Sequence, residues 1–453
     1  MVGSSFFTKD KEFYKSFFAL FIMIAMQNLI AYSVNMADNI MLGSYSQEAL
    51  SGAATVNQIF FIVQQLSMAI GEAMVTISSQ YWGKKQVEPV KNLTFIAGLT
   101  AFAFGLFMLL ATTFFDEEIL RFFTDDALIL SEGKRYLSII KYTFVLFAVT
   151  HILIASLRSV KTVKISFYIS VSSLFINCII NYILIFGKLG FPEMGIVGAA
   201  IGTLISRISD LLIVLWYLKF KDKKICLFEG RLSHKKELKK DYFKMLSPIF
   251  ISQILWCVSV PVQTAVLGHL SSDAIAANSV ATTFYQYLKV LVVAMSSASA
   301  VMIGTAIGKG EVDRIKSDSR SLSVMDISLG LVLGAVLFFL RKPLLSFYNL
   351  SPSALVLSEQ LIVVMSVVMV GMSYQMPVSS GIIRGGGDAK FTLYMNLISV
   401  WFIVFPLSLL AAFYFKWPVP VVVLCLQSDQ IFKGIPTFLR FRTYKWIKKL
   451  TRG

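Results

Sequence analysis

Long apolar stretches recur along the whole chain, separated by shorter polar segments. Each stretch is long enough, as a helix, to cross a hydrocarbon core about 30 Å thick. The pattern therefore predicts twelve membrane-spanning helices that follow one another from end to end. The predicted spans are 17–41, 52–80, 93–115, 136–157, 165–187, 195–218, 245–267, 275–305, 322–340, 359–382, 391–415 and 418–439.

The polar segments between the spans alternate in charge. The segment 219–244 is rich in Lys and Arg, whereas 116–135 is rich in Asp and Glu. Because basic segments stay on the cytoplasmic side, the alternation predicts that both termini are cytoplasmic. We expect a multi-pass protein of the cell (inner) membrane. Its basic end is predicted to lie on the inner leaflet as a short amphipathic helix.

The second half of the chain repeats features of the first. At an offset of 225 residues Gly83 aligns with Gly308, and at 226 Arg158 aligns with Arg384. Matching loops at matching intervals indicate two similar six-helix halves that cross the membrane in the same direction. The predicted fold is an all-α polytopic membrane protein with twelve transmembrane helices in two pseudo-symmetric six-helix lobes. The predicted parts are the lobes 1–218 and 245–439, the basic cytoplasmic connector 219–244 and the basic cytoplasmic tail 440–453.

Composition supports a membrane protein and excludes other classes. The 453 residues are 56% hydrophobic and 15% charged, with a mean hydropathy of +0.71, unlike the charge-rich balance of a soluble domain. The net charge of +16 follows from the basic cytoplasmic segments, so we expect no nucleic-acid partner. The four Cys and three His show no metal-ligand spacing, and no nucleophile–base pattern or GxxxxGK[ST] loop is present. We therefore predict no enzyme activity, and we expect a monomer in contact with membrane lipid.

One carboxylate, Asp38, closes the first span in the stretch NMADNIMLG, where a charge is costly inside a membrane. The repeat places Gln263 at the equivalent position. The fifth span carries Asn177 and Asn181, four residues apart and hence on one helical face. Two interpretations stay open. Either these residues do ion chemistry, or Asp38 is exposed at the outer interface and the amides bond neighbouring helices.

Other polar residues within the spans are candidates for the lining of a substrate cavity: Asn35, Glu72, Gln253, Gln263 and Lys289. Glu72 has no evident partner in its own helix. It either lines a water-filled cavity or pairs with Lys289 on another helix. Two further sets of charges lie one helical turn apart and predict neutralising pairs, Arg207 with Asp210 and Asp429 with Lys433.

Several stretches together resemble the multidrug and toxic compound extrusion (MATE) transporters. They are NMADNIMLG, NCIINYILIFGKLGFPEMGIVGAAIGTLISR, SPIFISQILW, LGHLSSDAIAANSV and IRGGGDAKF, and the resemblance covers nearly the whole chain. It implies a secondary antiporter that exports small amphipathic, often cationic, organic compounds in exchange for H⁺ or Na⁺. It implies no cofactor, with H⁺ or Na⁺ as the coupling ion. An alternative within the same broad superfamily is a flippase for lipid-linked sugars, whose cavity carries several Arg or Lys for phosphate.

The resemblance also implies roles for single residues. Asp38 matches the family's first-span acid, Asn177 a fifth-span Asn, and Thr203 a sixth-span Thr proposed to help coordinate sodium. With Asn181 they form the predicted cation-coupling set and a possible Na⁺ site. Asn181 departs from the Asp of well-studied members, and Gln253 stands where many bacterial members have Glu. We therefore expect the coupling to depend chiefly on Asp38 in the first lobe.

Overall fold

A computed structural model describes residues 7–229, 236–346, 348 and 350–452. The first half forms α1 (Lys11–Tyr45), α2 (Gln47–Gly83), α3 (Val87–Phe114), α4 (Asp116–Arg121), α5 (Ala127–Ser159), α6 (Lys164–Ile185) and α7 (Ile196–Phe220). The second half forms α8 (Lys236–Gly268), α9 (Ser272–Lys309), α10 (Val312–Leu345), α11 (Pro352–Met376), α12 (Ala389–Leu397), α13 (Phe405–Leu409), α14 (Val419–Leu426), α15 (Asp429–Phe432) and α16 (Gly434–Thr443). Three π-helical segments, Pro377–Ile383, Ile398–Val404 and Leu410–Tyr414, continue α11, α12 and α13.

In the described ranges, eleven helical stretches are long and apolar enough to cross a membrane. They match the first eleven predicted spans, and the all-α polytopic fold is confirmed. The predicted twelfth span, 418–439, is not one continuous helix but the three short helices α14, α15 and α16. The break has a physical cause, because the polar run from Gln427 to Gln430 interrupts the apolar pattern and Pro436 lacks a backbone N–H.

The chain divides into two compact units. The N-terminal unit comprises Met26–Ser78 and Lys85–Leu246, and the C-terminal unit comprises Met1–Ala25, Ser79–Lys84 and Ser247–Gly453. The start of α1 and the end of α2 therefore group with the second half of the chain. The lobe boundaries expected from the repeat, 218 and 245, stay a prediction.

Each unit has its own apolar core. In the N-terminal unit, Val56 and Val63 of α2 pack with Phe144 of α5, and all three are fully buried. In the C-terminal unit, Ala281 of α9 and Leu361 of α11 belong to the corresponding cluster. Large apolar side chains are also exposed on the outer faces of the helices, such as Phe107, Leu99 and Phe339. An apolar outer face is what a helix in contact with lipid requires.

The C-terminal tail differs from the predicted surface helix. α16 ends at Thr443, and Tyr444 has a left-handed φ of 53°. Trp446 is fully buried, with its ring where a Cβ of Gly386 would lie. The Lys448 N–H donates to the Gly386 carbonyl at 2.8 Å. The prediction of an amphipathic surface helix is therefore wrong for residues 444–452, which pack against the turn 385–388.

Asp388 at this turn holds the tail in place. Its carboxylate accepts hydrogen bonds from Lys448 Nζ at 2.7 Å and from Arg440 Nε at 2.8 Å, and its side chain is 3% exposed. Burial opposes ionisation, but the hydrogen bonds and charges of the two cations outweigh it and hold the pKa of Asp388 below its usual value. Gln80, at the end of α2, bonds the same tail through the Lys448 carbonyl and the Leu450 N–H.

Candidate cation-coupling site

Three helices of the N-terminal unit bring the predicted coupling residues together. α1 contributes Asp38, α6 contributes Asn177 and Asn181, and α7 contributes Thr203. Asn181 Nδ2 donates to Asp38 Oδ1 at 2.6 Å and lies 3.3 Å from Asn177 Oδ1. Asn177 Nδ2 donates to Thr203 Oγ1 at 3.3 Å. The four side chains thus form one connected network. Asp38 is 9% exposed, so it is buried in this unit.

The approach of α6 and α7 at this network depends on Gly202. A Cβ at this position would collide with Asn181 Oδ1. Within the described residues, that oxygen is buried and has no hydrogen-bond partner. An unpartnered buried carbonyl oxygen costs about 1–3 kcal/mol. The position of Asn181 Oδ1 therefore favours a bound cation or water molecule.

A small cavity of about 20 Å³ opens beside the network, enough room for a water molecule or a small cation. Asp38, Asn177 and Thr203 line it, and so does Asn35, which the sequence pattern had marked as a cavity residue. Further lining residues were not singled out from the sequence, because uncharged polar and aromatic residues are common in membrane helices. They include Asn57, Phe60, Tyr136, Thr143 and Ser206.

A cationic side chain, Arg207, also lines the cavity. Its Nη1 donates to Asp210 Oδ2 at 3.2 Å, which confirms the predicted pair, and Ser173 Oγ donates to the same oxygen at 3.2 Å. The guanidinium lies 5.5 Å from the centre of the Phe147 ring. Sequence spacing predicts the pair of Arg207 with Asp210 and allows Arg207 as a cavity residue of a flippase, but it does not place Arg207 beside Asp38.

The oxygens at this site suit a monovalent cation. A carboxylate, an amide oxygen and a hydroxyl are the hard ligands that alkali and alkaline-earth ions prefer, and a buried carboxylate can bind a proton instead. The short Asn181–Asp38 hydrogen bond fixes the direction of the carboxylate. The arrangement can therefore exchange an ion for water without a change of covalent structure.

Glu72 lies outside this network. It pairs with Arg158 at 2.8 Å, and both side chains are 12% exposed. The structure thus gives Glu72 a basic partner within its own unit, and its pairing with Lys289 stays a prediction. The i,i+4 pair of Asp429 and Lys433 is confirmed at 2.7 Å.

The remaining cavity candidates lie in the C-terminal unit. Lys289 Nζ is 5.3 Å from the centre of the Trp256 ring. Gln263 accepts a hydrogen bond from Gln427 Nε2 at 3.4 Å, and Gln253 is half-buried on α8. The structure thus gathers Asn35 with Asp38, whereas Gln253, Gln263 and Lys289 belong to the C-terminal unit.

The helical fold is that of a polytopic membrane protein that buries a carboxylate and amides between its helices. The MatE family model matches residues 24–183 and 248–410, one segment in each half of the chain. These segments cover more than half of the sequence, and the chain belongs to the MatE family.

Named relatives extend over the full length. "Probable multidrug resistance protein NorM" of Thermotoga maritima is 25% identical, over 94% of this chain and 92% of that protein. "Uncharacterized transporter YisQ" of Bacillus subtilis is 22% identical, over 97% and 96%.

Solved structures share the fold. One described as the "outward-facing conformation of a multidrug resistance MATE family transporter of the MOP superfamily" has a TM-score of 0.86 at 17% identity, and covers 96% of this chain and 98% of that one. A Pyrococcus furiosus transporter of the same superfamily, described with "reverse polarity of binding pocket", has a TM-score of 0.87 at 17% identity, and covers 100% and 99%.

Proposed function

We propose that the protein is a secondary active antiporter that exports small amphipathic organic compounds in exchange for H⁺ or Na⁺. Membership of the MatE family and the multidrug-resistance relatives support this function. The observation that carries the coupling role is the buried Asp38, bonded to Asn181 and open to a cavity the size of one small ion. The proposal includes a cell-membrane location, cytoplasmic termini, a monomeric state and no cofactor apart from the coupling ion.

The proposed mechanism uses the network as an ion-exchange site. A proton or Na⁺ binds Asp38, and oxygens of Asn177, Asn181 and Thr203 replace its water. The bound ion neutralises Asp38 and so changes its attraction to Arg207 across the cavity. Coupling requires that the ion and the organic substrate favour different conformations, because a ligand shifts an equilibrium only by its differential affinity.

The test is transport by purified protein in liposomes under separately imposed sodium and proton gradients. Efflux of ethidium, a cationic aromatic dye, should follow one or both gradients. Asp38→Asn should abolish gradient-driven efflux, whereas Asp125→Asn, the same change at an exposed loop residue, should leave it intact. Undiminished efflux by the Asp38→Asn protein would show that the coupling site lies elsewhere.

The flippase for lipid-linked sugars is the second candidate. Arg207 and Lys289, each within a membrane-spanning helix, are the observation in its favour, because such a substrate carries phosphate. The same liposomes separate the two functions. Dye efflux that responds to a gradient supports the antiporter, and gradient-independent movement of a lipid-linked sugar supports the flippase.

A further inference from the structure

A lysine lies in the middle of a membrane-spanning helix of the C-terminal unit. Lys289 is 17 residues from the start of α9, roughly 26 Å along the helix axis. This depth is too great for its side chain to reach an interface easily. Its side chain is half-buried. An ionisable side chain at such a position is costly and therefore marks a functional site.

Lys289 does not form an ion pair with a carboxylate of its own in the described ranges. Its ammonium lies over the Trp256 ring, a favourable but weak contact for a cation. The carboxylate that acts on it electrostatically is Asp429. Asp429 Oδ2 already accepts hydrogen bonds from Lys433 at 2.7 Å and from Gln430 at 2.8 Å. Within the described ranges, no ion pair links Lys289 to a carboxylate, so the cluster has one more base than acid.

The last span breaks beside this cluster. α14 ends at Leu426, and α15 and α16 follow as separate helices. The break is slight, because Ser428 and Lys433 keep right-handed helical dihedral angles. Broken helices at membrane depth often form binding sites. The break carries Gln427, which bonds Gln263 at 3.4 Å, and Gln430, which accepts from Gln375 at 2.7 Å. Gln430 lies next to Asp429, the carboxylate that acts on Lys289, so amides and the acid share the break.

We infer that Lys289 and Trp256 form an anion-accepting subsite that binds the acidic group of an amphipathic organic substrate. The ammonium supplies the charge and the indole supplies apolar surface for the body of the substrate. The inference rests on the proposed efflux function and extends its substrates to organic acids. Cationic substrates would not use Lys289.

The test compares two dyes in the same liposomes, carboxyfluorescein as the anion and ethidium as the cation. Lys289→Gln should reduce carboxyfluorescein efflux about tenfold or more and leave ethidium efflux within about twofold. Lys289→Arg, which keeps the charge, should retain most of the anion efflux. Lys188→Gln, the same change at an exposed residue, is the matched control and should affect neither dye.

The outcomes separate this inference from the proposed function. If the wild-type protein exports neither dye, the antiporter proposal fails. If it exports ethidium but neither exports nor saturably binds carboxyfluorescein, the subsite is overturned. Equal loss of both dyes in Lys289→Gln, or loss of neither, also overturns it. If Lys289→Gln does not fold, the folded Lys289→Arg protein is the test. Loss of anion efflux in that variant would overturn the subsite, because the positive charge is still present.

Discussion

The two units bury charged clusters of opposite sign within their membrane-spanning helices. In the N-terminal unit, Asp38 and Asp210 accompany one cation, Arg207. In the C-terminal unit, Lys289 and Lys433 accompany one acid, Asp429. The polar partners differ as well. Asparagine and threonine of two packed helices support Asp38, whereas Gln430 at the broken last span donates to Asp429.

We propose from this difference that the two halves bind different ligands. An acidic cluster with a cavity for one small ion suits H⁺ or Na⁺, and a basic cluster beside an indole suits an organic acid. The halves descend from one pattern, yet Gln263 stands at the position equivalent to Asp38. The C-terminal unit therefore lacks an acid at the position equivalent to Asp38.

The largest expected effect comes from removing the support of Asp38. Asn181→Leu deletes the hydrogen bonds to Asp38 and Asn177, and should lower gradient-driven efflux about a hundredfold. It should also lower the free energy of unfolding by about 2–3 kcal/mol, because a bond to a charged group is lost. Efflux under an imposed gradient and denaturant unfolding measure the two effects.

Asn396→Leu is the matched change in the C-terminal unit. It removes a single hydrogen bond to Ser252 of 2.9 Å between neutral groups. Its effect on stability should be about 1 kcal/mol. If the two variants reduce stability and ion-driven efflux equally, the acidic cluster has no special role in coupling.

A smaller effect is expected from filling the contact between α6 and α7. Gly202→Ala places a methyl group where Asn181 Oδ1 lies, so the amide must rotate away from Asp38. We expect about a tenfold loss of gradient-driven efflux and a stability loss of about 1–3 kcal/mol. Gly98→Ala on α3 is the control, because its added Cβ meets open space, and it should leave both measurements unchanged.

Asp326 is a buried acid of the C-terminal unit that belongs to neither cluster, and a variant can show whether it takes part in ion coupling. It is fully buried on α10, and neither carboxylate oxygen has a hydrogen-bond partner among the described residues. A buried acid without partners destabilises the fold, so Asp326→Asn should raise the melting temperature by a few degrees. Efflux of both dyes should stay within about twofold. A larger fall in cation-driven efflux would place a second coupling group in the C-terminal unit.

Local periodicity was enough to predict the fold class and to single out Asp38, Asn177 and Asn181, whereas their grouping with Thr203 came from the family resemblance. Asp38 stands out as an acid at the end of an apolar run, and a spacing of four residues puts Asn177 and Asn181 on one face. The pairs Arg207–Asp210 and Asp429–Lys433 follow from the same helical rule. These features depend on neighbours within one helix or on a property of a single span.

Contacts between distant segments could not be predicted in this way. The partner of Glu72 is Arg158, 86 residues away, and the choice depends on how α2 packs on α5. The contact of Lys289 with Trp256 likewise joins α9 to α8. The tail also escaped prediction, because its basic pattern suits a lipid surface, whereas a buried Trp446 and the bonds at Asp388 hold it against the protein.

The smallest expected effect concerns Asp388, which lies outside both clusters. A change at Asp388 shows how the stability of the protein depends on acid pH. Its pKa is lower in the folded protein than in the unfolded chain, so its stabilising effect is complete at neutral pH. The usual pKa of an aspartate in an unfolded chain is about 4. The stabilising effect is lost only as the pH falls below that value and then through the lower pKa of the folded protein. Asp388→Asn should therefore lower stability at pH 7 by about 1 kcal/mol and flatten the acid dependence of the melting temperature.

Because Asp388 should stay ionised between pH 5 and pH 8, any change of efflux in that interval arises elsewhere. In the Asp388→Asn background, loss of a pH response on adding Asp38→Asn would assign that response to the acidic cluster. A response that persists in the double variant would instead show that another group titrates. A response of the Lys289-dependent anion efflux alone would place that group in the basic cluster.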